Sequence, residues 1–148
     1  MNLVINDLEK DIIREIINIG VARAADSFAG IAKERVVLNA PDLRIIDAEA
    51  IAGFFTSYEK HNVIIQSDIT GDLDGKTFLL FTESQSEVLA QICLGNVKTD
   101  GLEHEYLKSS LLLEVGNIIT GALVTQLANI LQLKVFGSVP ERKNNYIG

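Results

Sequence analysis

The sequence predicts an α/β (α+β) fold in which two long helices pack beside a β-sheet, and three observations point to it. Apolar residues recur at helical spacing over two long stretches, about residues 7–33 and 102–132. Runs of β-branched and aromatic residues bounded by Gly and Asp lie between them. The chain also repeats itself at an offset of 99 residues, which makes the fold pseudo-two-fold. With 148 residues it reads as one domain, 1–148, large enough to bury a core.

The first helix is expected from about Asp7 to Lys33. Asn6, with Glu9 three residues on, forms a capping pair in which each side chain satisfies a free backbone N–H. Leu8, Ile12, Ile13, Ile16, Ile17, Val21, Ala24, Ala25 and Phe28 then define one broad apolar face. Gly30 is a weak point where the helix would break. A strand at 35–38 ends at Pro41, because proline cannot donate to a ladder. Residues 43–46 read as a strand, and 47–55 as a short helix or a loop. Residues 62–66 and 76–81 form a strand pair around a Gly- and Asp-rich connection. Ser84 with Glu87 offers a second capping box, for a helix that stops at Gly95. After a polar connection the second long helix covers about Leu102 to Gln132, and a strand at 134–139 precedes Pro140.

Composition narrows the function. Apolar residues make up 47% and charged residues 22%, as in folded rather than disordered chains. A net charge of −7 without any Lys/Arg cluster argues against a nucleic-acid partner. The single cysteine, Cys93, excludes an internal disulfide and reads as a small buried hydrophobe. His61 and His104 lack Cys or His partners at metal-ligand spacing, so no structural metal site is expected. The start of the chain does not read as a signal peptide. The most apolar stretch, 118–135, is interrupted by Thr120, Thr125, Gln126, Asn129, Gln132 and Lys134, so no membrane insertion is expected. The expected location is the cytoplasm.

Residues 11–41 align without a gap on residues 110–140, with 7 identities in 31 positions. Matching apolar positions would be weak evidence, since any two amphipathic helices share them. The informative matches are Glu15/Glu114, Asn18/Asn117 and Pro41/Pro140. At about 100° per residue, Glu15 and Asn18 project from one helix face together with Asp11 and Ala22, opposite Ile13, Ile16, Gly20 and Ala24. Glu114, Asn117, Ser110 and Gly121 repeat the arrangement. One such pair is ordinary solvated surface. Asparagine is a mediocre helix former, so its recurrence mid-helix, in register with a proline, needs another reason.

These residues carry a family pattern: Asp or Ser, three residues, Glu, two residues, Asn, twenty-two residues, Pro. Asp11, Glu15, Asn18 and Pro41 satisfy it once, and Ser110, Glu114, Asn117 and Pro140 satisfy it again. The sequence thereby resembles the CheC/CheX/FliY family of chemotaxis phosphatases, and its two intact motifs resemble CheC-like members most. Arg23, one turn beyond Asn18, stands where that family usually has a small or amide residue, which makes the second copy the cleaner match. A complete CheC-like fold would supply returning strands after Pro140. Only residues 141–148 follow it, so the second half reads as abbreviated or truncated, with an edge open to a second subunit in a homodimer.

The resemblance implies a hydrolase acting on the aspartyl phosphate of a CheY-type response regulator, within two-component signalling. Asn18 or Asn117 would enter the regulator's site and align the attacking water. Glu15 or Glu114 would dock on the regulator's lysine, while Asp11, Ser110, Pro41 and Pro140 support the motif. It implies no cofactor of the protein's own and no metal ligands, the Mg²⁺ arriving with the regulator. The alternative is a non-catalytic binding module that sequesters the phosphorylated regulator or a CheD-type deamidase.

Overall fold

A computed structural model describes residues 6–32, 46, 48–58, 60, 62–95 and 101–143. The expected strand at 35–38, Pro41, residues 43–45 and the 96–100 connection lie outside them. Helix α1 spans Asp7–Ala32. It opens as expected: Asn6 Oδ1 accepts from the Glu9 N–H at 2.8 Å, and Glu9 Oε1 accepts from the Asn6 N–H at 3.5 Å. The expected break at Gly30 does not occur. One glycine costs about 1 kcal/mol against alanine, and burial of Ala24, Ala25 and Phe28 in the preceding turns outweighs it.

A 3₁₀ turn (Ala48–Ala50) leads into helix α2 (Ile51–Thr56), which settles the ambiguous stretch as helical. Strand β1 (Val63–Gly71) and strand β2 (Gly75–Phe81) are antiparallel, with Val63 opposite Phe81 and Ile69 opposite Gly75. β1 runs five residues past its expected end, so the connection shrinks to Asp72, Leu73 and Asp74. Gly71 makes this possible. Its φ is 113°, and a Cβ there would collide with the Lys134 carbonyl oxygen.

Period-two alternation gives the hairpin two working faces. Val63, Ile65 and Ser67, with Leu79 and Phe81 across from them, face helix α4 (Gly101–Leu131) around the fully buried Leu112. On the other face Phe78 meets Phe55 of α2 edge-to-face at 5.5 Å, and Lys76 pairs with the directly opposed Asp68 at 3.0 Å.

Helix α3 (Glu83–Leu94) starts at a different cap from the one expected. Thr82 is the N-cap: its Oγ1 accepts from the Gln85 N–H at 3.1 Å, and Gln85 Oε1 accepts from the Thr82 N–H at 2.9 Å. Ser84 and Glu87 lie inside the helix, where Glu87 is engaged by Lys108 of α4. Gly95 ends α3 as expected, at φ 59°. Cys93, expected to be buried, is half-buried against a cluster of Phe28, Ala90, Leu111 and Val115.

The last strand also differs. Instead of one strand at 134–139, β3 (Val135–Gly137) and β4 (Glu141–Lys143) both pair antiparallel with β1. Three steps along β1, Gln66 to Ile69, are matched by four on the partner, Gly137 to Glu141. The extra residue is a bulge. Pro140, which has no N–H to donate, sits within it, and Ser138 Oγ accepts from the Asp68 N–H at 2.8 Å. The proline interrupts the ladder, and pairing with β1 resumes at Glu141.

By length and composition α4 is apolar enough to cross a membrane, contrary to the expectation that no stretch is. In this fold its apolar side is the core contact with α1, α3 and β1.

Candidate functional site

The two Glu-x-x-Asn pairs stand on the two longest helices, each on the side away from the core. On α1, Glu15 is exposed and Asn18 half-buried, while Ile16, Gly20 and Ala24 behind them are buried. On α4, Glu114 and Asn117 are both exposed, with Leu112, Val115 and Gly116 buried behind. Asp11 and Ser110 are exposed one turn earlier, and Asp11 pairs with Arg14 at 3.5 Å. Ala22 and Gly121, one turn beyond each Asn, are exposed, and a Cβ built on Gly121 meets nothing within 4 Å.

The helices meet where the repeat requires. A Cβ on Gly20 would lie 3.3 Å from the Leu123 Cα, so glycine permits close approach of α1 to α4 there. Under the 99-residue offset the reciprocal pair is Ile119 with Ala24, and these two line one apolar cavity of about 900 Å³ between the helices. No described motif residue lines that cavity.

Pro140 is buried, and its Cβ lies 3.7 Å from a Cβ built on Gly116, the neighbour of Asn117. The same built Cβ would be 2.5 Å from Ile65 Cγ2, so glycine lets the motif turn of α4 seat directly on β1 and the bulge. The twenty-two residues between Asn117 and Pro140 carry the chain along α4 and back beneath its own motif. In the first copy the position of Gly116 is held by Ile17, and Pro41 lies outside the described residues.

A charged cluster that sequence reasoning missed lies one turn before the second motif. Lys108, its side chain 2% exposed, donates to Glu87 at 2.7 Å, Glu105 at 3.0 Å and Glu83 at 3.4 Å. His104 Nε2 lies 3.0 Å from Glu87, and Arg142 of β4 donates to Ser109 Oγ at 2.9 Å. Burial works to lower the pKa of Lys108, but the hydrogen bonds to Glu87 and Glu105 and the charge of Glu83 reverse it, leaving it above the ordinary lysine value. The hydrogen bond from Lys108, then that of His104, holds Glu87 below the ordinary carboxylate value. Asp68 is lowered likewise by its hydrogen bond from Lys76. Glu83 and Glu87 lie 25 and 21 residues from Lys108, which no local pattern encodes.

A carboxylate and an amide on a convex helix face cannot enclose a small substrate, because such sites are concave. They can enter a concavity on another macromolecule. The amide can accept a hydrogen bond from water and donate to a neighbouring oxygen, and the carboxylate can pair with a cation.

Residues 107–143, which contain the whole second motif, match the CheC-like family. Over 139 residues, 93% of this chain, the sequence is 30% identical to CheY-P phosphatase CheC from Bacillus subtilis (strain 168), and it spans 66% of that protein's length. The crystal structure of FliY from Thermotoga maritima superposes with a TM-score of 0.72 at 24% identity, covering 95% of this chain and 70% of that one. A chain of the CheX–CheY–BeF₃–Mg²⁺ complex from Borrelia burgdorferi superposes at 0.62 and 18% identity, covering 86% and 75%. The similarity thus runs through both copies of the repeat and through the sheet between them, and the chain belongs to the CheC-like family.

Proposed function

We infer that the protein is a phosphatase of a phosphorylated CheY-type response regulator. The observation that carries this reading is the duplicated Glu-x-x-Asn pair, presented outward on both long helices with glutamates 15 and 114 exposed. The 30% identity to a CheY-P phosphatase supports it, as does the fold shared with CheX, which has been crystallised with CheY, BeF₃ and Mg²⁺.

The protein's part in the reaction is positioning. Asn18 or Asn117 enters the regulator's active site, its carbonyl accepting from the attacking water and its N–H₂ donating to a neighbouring oxygen. The water oxygen attacks phosphorus in line, the P–O bond to the aspartate breaks, and a free carboxylate and inorganic phosphate result. Charge on the phosphoryl group is balanced by the regulator's own lysine and Mg²⁺. Glu15 or Glu114 pairs with that lysine and fixes the angle of the docked helix. Holding water at reacting distance is the contribution, so loss of the amide removes most of the acceleration.

The test is release of phosphate from a phosphorylated CheY-type receiver. With this protein present the release accelerates. Asn18→Ala combined with Asn117→Ala lowers the acceleration about a hundredfold or more. Undiminished activity of the double variant sinks the assignment. Binding that depends on phosphorylation, with an unchanged phosphate lifetime, identifies a sequestering module instead.

A further inference from the structure

We propose that Lys108, with Glu83, Glu87 and Arg142, is a positioning clamp for the second motif alone, so that the two sites differ in how rigidly they present their asparagine. The proposal deepens the phosphatase reading and rests on it for the catalytic readout. Lys108 lies nine residues before Asn117 on α4, and its ammonium is shared between two carboxylates of α3 and Glu105 of its own helix. Arg142 approaches Glu83 at 4.0 Å while donating to Ser109, the neighbour of Ser110. Arg142 stands opposite Ile65 on β1, and Ile65 touches the seat of Gly116 beside Asn117. The turns of α4 that lead into the motif are therefore tied to α3 and β4, and Gly116 within the motif is seated on β1.

Among the described residues nothing equivalent holds the first motif. The counterpart of Lys108 is Glu9, which is exposed and occupied in the helix cap, and the counterpart of Ser109 is Lys10, also exposed. A buried ammonium ringed by carboxylates is a poor source of net stability, because desolvation offsets its attraction. It is a strong source of orientation, since each hydrogen bond fixes a distance and an angle. Orientation is what an in-line water requires: displacement by about 1 Å can cost about a hundredfold in rate.

The internal control is the repeat itself. Asn18→Ala leaves a protein that works through the second site, and Asn117→Ala leaves one that works through the first. Adding Lys108→Met is expected to lower kcat about tenfold or more in the former, with KM for the phosphorylated receiver changed less than about twofold. In the latter kcat stays within about twofold. Equal fractional losses, or no loss in either, overturn the clamp. A second variant, Lys108→Met with Glu87→Leu, guards against simple misfolding. It removes the carboxylate that had been nearest the ammonium and restores stability without restoring second-site kcat; recovery of kcat with stability would show a merely structural role. Amide exchange reads the clamp without any catalysis. Lys108→Met is expected to speed exchange about tenfold in a peptide covering 105–117 and to leave one covering 12–20 unchanged. If no parent protein has activity the phosphatase reading falls, and unchanged exchange at 105–117 still overturns the clamp.

Discussion

Helices α1 and α4 carry the same motif at the same phase, yet among the described residues very different amounts of protein hold them. On α1, Leu8 is 69% and Ile12 46% exposed, while their counterparts Leu107 and Leu111 on α4 are half-buried and buried. Ile13 is half-buried where Leu112 is inaccessible, and the exposed Glu9 corresponds to the buried Lys108. The buried sides of the two helices have diverged in size, charge and partners. Their outward Glu and Asn have not. Packing alone does not account for a pair kept identical on two helices whose packing differs.

Paired substitutions at equivalent positions distinguish the two helices. Leu112→Ala opens a hole among Val63, Ile65 and Leu89 and is expected to lower stability in urea by about 2–5 kcal/mol. Ile13→Ala, at a half-buried position, should cost clearly less. Equal costs would mean that the first turns of α1 are as firmly packed as those of α4. Next in size is Gly116→Val. Its side chain would drive into Ile65 and Pro140, at an overpacking cost of about 1–3 kcal/mol. The equivalent change on α1, Ile17→Val, only shortens a half-buried side chain and should stay near or below about 1 kcal/mol.

The unequal support was hidden from the sequence, and the motif was not, for a common reason. Helical period, the Asn6–Glu9 cap and the repeat are local or regularly spaced, so they survive as patterns in one dimension. The α3–α4 clamp joins residues more than twenty positions apart and leaves no such pattern. Thr82–Gln85 and Ser84–Glu87 both satisfy the capping-box rule two residues apart. The structure uses the first, and Glu87 is engaged by Lys108 instead. Pro140 was read by a sound rule, that proline leaves the ladder, but the rule does not say whether the chain returns after a bulge. The depth of Gly116 against β1 was equally unreadable, because a glycine gives no hint of what will sit above it.

The cap assignment gives a smaller and cleaner test. Thr82→Ala removes the oxygen that receives the Gln85 N–H and is expected to cost about 1 kcal/mol of stability. Ser84→Ala, at an exposed position inside the helix, should change it by no more than about 0.5 kcal/mol. The reverse order would move the start of α3 and, with it, the reach of Glu87 toward α4.

The smallest effect tests the clamp through its protons. Glu87 is held below its ordinary value near 4.5 by Lys108 and His104, so its contribution is present above that value and is lost as pH falls through the depressed pKa. Lys108 is displaced upward from 10.5, so its contribution is complete at neutral pH and is lost only as pH rises beyond that value. Between pH 7 and strong acid the carboxylate side therefore sets the slope. Stability of the parent protein should fall more steeply below about pH 4.5 than that of Glu87→Gln, the two curves converging in acid. Amide exchange, corrected for its intrinsic acid rate, locates the loss. Protection should fail first in α3 and the first half of α4, where Glu83, Glu87, His104, Glu105, Lys108 and Arg142 face one another. Parallel curves for parent and variant, or protection lost first from α1, would show that the cluster does not distinguish the two helices.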